Sequence, residues 1–149
     1  MTQQPKQPDA QAVKAPPTAA DVVNALDAAS DALVQAAADF LAAGDRDSAA
    51  SANDSSSALL RLASKVAAQD VITQLGHLKE TEKRLGAVTD AINAEAAKIK
   101  ADQQSLKTAI NIVTDFTLVI AGAASAQPLN AVGPLVDLLK SLGVPDPGV

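Results

Sequence analysis

Apolar residues recur every seven positions through the second half of the chain, at Val71, Leu78, Leu85, Ile92, Ile99, Leu106, Val113 and Ile120. This spacing predicts a single hydrophobic stripe on one long helix of coiled-coil type. No proline lies between Ser55 and Pro128, so the helix is expected over residues 55–124. The span 55–121 alone would reach roughly 100 Å at the ordinary helical rise. Gly76 is the place where it would break, since glycine costs about 1 kcal/mol against alanine inside a helix. Good helix formers around it, Leu75, Leu78 and Lys79 to Arg84, favour continuity. The companion row, Leu75, Glu82, Thr89, Ala96, Gln103, Ile110 and Thr117, is half polar. That suits either a seam that sets register or oligomer state, or a broader, tilted buried face in which Val88 replaces this row and Glu82 is exposed.

A shorter helix is predicted over 18–43. Thr18 followed by Asp21 has the capping-box spacing, and Pro16 and Pro17 stand immediately upstream. Val22, Leu26, Ala29, Leu33, Ala36 and Phe40 form its seam, while Asp21, Asp27, Asp31 and Asp39 lie on the other side. Gly44 supplies the stop. Residues 45–57, rich in Ser, Asn and Asp, read as a loop ending in a cap at Asp54 or a neighbouring serine, although 47–52 also has helix-forming alanines. A last helix is expected over 134–142, opened by Pro134 and faced by Leu135, Leu138, Leu139 and Leu142. Residues 1–17 read as a disordered Pro/Gln/Ala-rich tail, and 144–149 as a loose end. The expected domain, 18–143, is all-α: an elongated bundle or coiled-coil hairpin, one long helix carrying a shorter N-terminal and a short C-terminal helix.

Composition narrows the core and the chemistry. The chain has 33 alanines and two phenylalanines, with no tryptophan or tyrosine, so helices must meet through Ala, Leu, Val and Ile at close range. A net charge of −5 and a pI near 4.6 disfavour nucleic acid as a partner. There is no cysteine for disulfide, thiol or thiolate chemistry. The first seventeen residues have no apolar stretch of signal-peptide type. A cytoplasmic location is expected, and export without a cleaved signal is compatible with the same residues.

His77, with Glu80 and Glu82 nearby, is the one place where a metal could be considered. A bundle metal site needs several inward Glu and His residues on facing helices, and the first helix offers only outward aspartates. No metal and no cofactor is therefore expected. No paired nucleophile, phosphate-binding glycine loop or acid pair with a pocket is recognisable, which points away from an enzyme. The expected function is protein–protein interaction through the heptad face, by self-assembly or by binding a heterologous helix. The alternative is membrane activity. Residues 116–136 are 21 positions without a charge, and an apolar hairpin over 110–142 would insert Phe116, Leu118, Val119, Ile120, Leu135, Leu138 and Leu139. In outline, a helical chain with such a tip resembles the α-helical pore-forming toxins. Packing of the last helix against the long one, as the core end of a bundle, is the favoured use of these residues.

Overall fold

The computed structural model describes residues 15–149. Six α-helices form, α1 (Ala19–Ala42), α2 (Arg46–Ala68), α3 (Val71–Gly76), α4 (Glu82–Ala96), α5 (Gln103–Ala124) and α6 (Val132–Ser141), with a 3-10 turn at Pro128–Ala131 before the last. No strand is present among the described residues. The all-α class is thus found, whereas the single long helix is not. The expected tail over 1–17 lies outside the described residues up to position 14.

The first helix starts as its residues dictate. Asp21 N–H donates to Thr18 Oγ1 (3.2 Å) and Thr18 N–H donates to the Asp21 carboxylate (2.9 Å), so two otherwise unbonded helix-end donors are satisfied. At the other end, Gly44 takes φ +83. Its N–H donates to the Leu41 carbonyl at 3.0 Å, and Asp45 N–H donates to the Phe40 carbonyl at 2.9 Å, which is the two-bond Schellman stop. Asp45 then caps α2, accepting from Ser48 N–H at 3.1 Å. One residue pair therefore closes one helix and opens the next. Gly44→Ala should lose about 1–2 kcal/mol, the ordinary penalty of a left-handed non-glycine residue, with no steric contribution, because nothing lies within 4 Å of the added carbon. Thermal unfolding of the variant checks this.

The serine-rich stretch expected as a loop is the first half of α2. Ser48, Ala49, Ala52, Ser55, Ser56, Leu59, Leu62, Ala63 and Val66 are buried on one face, a helical spacing built at first from small residues. Their smallness lets α2 lie close along α1, the most extensive helix pair in the fold. At the crossing, Ser30 Oγ donates to the Ser56 carbonyl (3.2 Å) and Ser56 Oγ to the Ser30 carbonyl (3.1 Å). The two hydroxyls stand 2.6 Å apart. Both are buried, and the reciprocal bonds offset their desolvation.

The expected long helix is three helices and part of a fourth. α2 stops at Ala68 because Gln69 is extended (φ −115, ψ 151). A second break follows Gly76, where buried Thr81 Oγ1 donates to the carbonyls of Leu75 and Leu78 and ties the turn back onto α3. A third break, Ala97–Asp102, contains neither glycine nor proline. Asp102 accepts from Ser105 N–H at 2.7 Å and starts α5 as its N-cap. The seven-residue row, which begins at Val71, crosses the second and third of these breaks, so its members do not share one helix face. Val71, Leu85, Ile92, Leu106 and Ile120 are buried inside the chain; Leu78 and Ile99 sit in turns and, like Val113, are half-buried.

The larger helices close into a ring. α1 packs on α2, α2 on α5, α5 on α6, α6 on α4, and α4 back on α1, with α3 bridging α5 and α4. One continuous core, from Val22 and Leu26 through Leu59, Leu75 and Ile92 to Phe116 and Leu138, fills the ring. α6 begins two residues before the expected Pro134; proline is tolerated there because the first helical turn leaves its N–H groups unbonded. The final residues carry no helix but are joined to α4: Arg84 grips Asp146 through two bonds (2.9 and 3.1 Å) and Lys83 donates to the Val149 carbonyl (3.0 Å).

Candidate interaction surface

The residues expected to carry function are divided by this arrangement. The heptad row serves the core, as described above. Of the expected membrane-inserting residues, Phe116, Val119, Ile120, Leu135, Leu138 and Leu139 are buried, while Leu118 is half-exposed. The α5–α6 pair therefore turns most of its apolar side chains towards the protein. α5 is nevertheless long and apolar enough to cross a bilayer by length and composition, with a mean hydropathy of 1.4. His77 is exposed in the turn after α3, and Glu80 is exposed three residues on. No group of three or more potential metal ligands occurs among the described residues.

Asp115 and Asp137 are the acids that bound the uncharged stretch, and the α5–α6 pairing brings them near one another. Partial burial pushes the Asp115 carboxyl above its ordinary range, and the Asp137 charge adds to this. A bond from Ser141 Oγ (3.4 Å) opposes the shift. A carboxyl raised in the folded state binds its proton more tightly there than in the unfolded chain. Its cost is absent below the ordinary carboxylate range, develops as pH rises through the raised value, and is complete above it. Asp115→Asn should therefore raise the denaturant midpoint at about pH 7 and leave it unchanged at about pH 3. Urea unfolding at the two pH values tests the sign.

Two clefts flank α1. One, between α1 and α4, holds roughly 360 Å³ and has Asp21, Asn24, Thr89, Asp90 and Asn93 in its wall beside Ala15, Pro17 and Gly86. Asp21 there is bound to the Thr18 N–H, and Thr89 Oγ1 to the Leu85 carbonyl at 2.8 Å. Asp21 and Thr89 are thus occupied within their own helix ends and turns. The second cleft runs between the C-terminal half of α1 and the first half of α2. It holds roughly 440 Å³ and is lined by Val34, Ala37, Ala38, Leu41, Arg46, Ala49, Ala50 and Asn53.

The second cleft has the character of a binding groove. Val34 and Leu41 are 53% and 58% exposed, among the most exposed large apolar side chains described. Ala38 and Ala50 are exposed between them, so an approaching helix would meet methyl groups and could come close. On α1 the outer residues Asp27, Asp31, Val34, Ala38 and Leu41 follow spacings of four, three, four and three, which is a second seam facing away from the core. It changes from acidic to apolar along its length. Arg46 stands beyond its apolar end, exposed and without an ion pair among the described residues. Reading the first helix by its inner seam alone overlooks this one; the Val34–Ala38–Leu41 spacing is the signal that was present in the residues. No protein family, curated protein or solved structure matches this chain.

Proposed function

We propose that this is a non-enzymatic helical interaction protein that binds a helix in the groove between α1 and α2. The observation that carries the reading is the outer α1 seam of Val34, Ala38 and Leu41. It has helical spacing and solvent exposure, and α2 lies beside it as a second wall. Apolar residues at such spacing are what a helix-in-groove contact uses. The reading keeps the expected class, protein interaction in the cytoplasm without cofactor or nucleic acid, and moves its surface from the buried heptad row to the outside of the α1–α2 hairpin.

A photo-reactive residue tests it. With p-benzoylphenylalanine in place of Asn53, an exposed residue on the α2 wall of the groove, irradiation of the full chain in cells should give a discrete adduct, and Leu41→Glu should abolish that adduct. No adduct at position 53 would end the reading.

A second reading, membrane insertion by α5 and α6, is supported by one observation: the length and apolarity of α5. Flotation with neutral and with anionic liposomes distinguishes it. Binding that survives Leu41→Glu and is lost on Leu118→Lys favours insertion; no flotation with either lipid removes it.

A further inference from the structure

We propose that the helix received by the α1–α2 groove belongs to a second copy of this chain, with the two α1 helices antiparallel about a two-fold axis near Ala38. The inference rests on the groove being a helix-binding surface and adds the identity of its occupant.

The order of residues along the outer seam carries it. From one end to the other stand Asp31, Val34, Ala38, Leu41 and then Arg46 at the start of α2. That sequence of acid, apolar, small, apolar and base is complementary to its own reverse, with apolar meeting apolar and acid meeting base. Two-fold contacts require this property, because each patch must complement itself. With the axis at Ala38, Val34 of each copy meets Leu41 of the other. The two Ala38 methyl groups meet at the centre, where small residues allow the closest approach. Asp31 of each copy then reaches the Gly44–Arg46 turn of the other, so Arg46 finds an acid at both ends of the interface.

Charge gives the same answer. α1 supplies Asp21, Asp27, Asp31 and Asp39 and no Lys or Arg, so two α1 helices side by side would repel unless another element brought a cation. Arg46 is that cation, and it lines the groove. Two acids flank it in sequence: Asp45 is held by Ser48 at the start of α2, and Asp47 is exposed but does not line the groove. An unrelated partner helix would need no such symmetry in the groove.

Sedimentation equilibrium of the full chain decides the matter, with circular dichroism as the check on folding. Wild-type protein at about 100 µM should sediment at twice the chain mass. Arg46→Glu and Asp31→Arg should each weaken self-association by about tenfold or more, since each sets like charges opposite one another. The double variant Asp31→Arg/Arg46→Glu should recover wild-type association, because the pair is restored with its signs exchanged. A monomeric wild type, or a double variant as dissociated as the singles, would overturn the second copy. If a position-53 adduct of another mass accompanied that monomer, the helix-binding groove would stand and only its occupant would change.

Discussion

Truncating Phe116 to alanine is expected to remove about 3–5 kcal/mol of stability. Phe116 is fully buried, at the centre of a helix that packs on α2, α3 and α6. A domain of this kind is stable by only about 5–15 kcal/mol in total, so the loss would be a large share of it. The composition places the effect towards the upper end. Much of the core is alanine, including Ala25, Ala29, Ala52 and Ala109, and an alanine has no rotamer through which to lean into a cavity. A void that cannot collapse keeps its full cost. Guanidinium unfolding followed by circular dichroism measures this, and a loss below about 2 kcal/mol would contradict the burial of the ring.

The second large effect is expected at Gly122, and its sign is more telling than its size. In a helix interior, Gly→Ala ordinarily stabilises by about 1 kcal/mol. At Gly122 a Cβ would lie 2.7 Å from Ala131 N and 2.8 and 2.9 Å from Asn130 C and O. These are backbone atoms of the 3-10 turn that folds α6 back onto α5, and they cannot swing aside as a side-chain tip could. Gly122→Ala should therefore destabilise by about 1–3 kcal/mol, or more if the turn cannot shift. Gly86→Ala is the matched control: its new carbon would meet only Pro17 Cδ, at 3.8 Å, so stabilisation of up to about 1 kcal/mol is expected. Opposite signs at the two glycines, read from melting temperatures, would establish the close approach of α5 to its following turn.

Gly122 also marks a difference between what residue patterns convey and what they do not. The start of α1 was legible because a capping box is a local event, complete within Thr18 to Asp21. Its end was legible because Gly44 answers a local demand for positive φ. The first half of α2 was not, since Ser48, Ser55 and Ser56 resemble loop residues until Ser30 is known to face Ser56. The break at Ala97–Asp102 was hidden for a related reason. Asp102 acts as a cap only after the chain has turned, and no glycine or proline announces the turn.

The heptad row misled for a physical reason. A period of seven is compatible with one helix but does not demand one. Leu78 and Ile99 fall in turns and are half-buried, and Ile99 still packs against the core from there. The groove was half legible. Its α1 wall is written in the spacing of Val34, Ala38 and Leu41, whereas its α2 wall required knowing that residues 46–53 are helical and lie alongside.

The ring of helices carries a consequence for how the molecule opens. Each of the five larger helices has two neighbours in the ring, so none can leave without uncovering two seams at once. Detaching an outermost element, the low-energy route by which many bundles open locally, is therefore closed to these five. Amide protons in α1, α2, α4, α5 and α6 should share one protection limit in hydrogen exchange, set by global unfolding. The lone bridge α3 and the connecting turns exchange sooner.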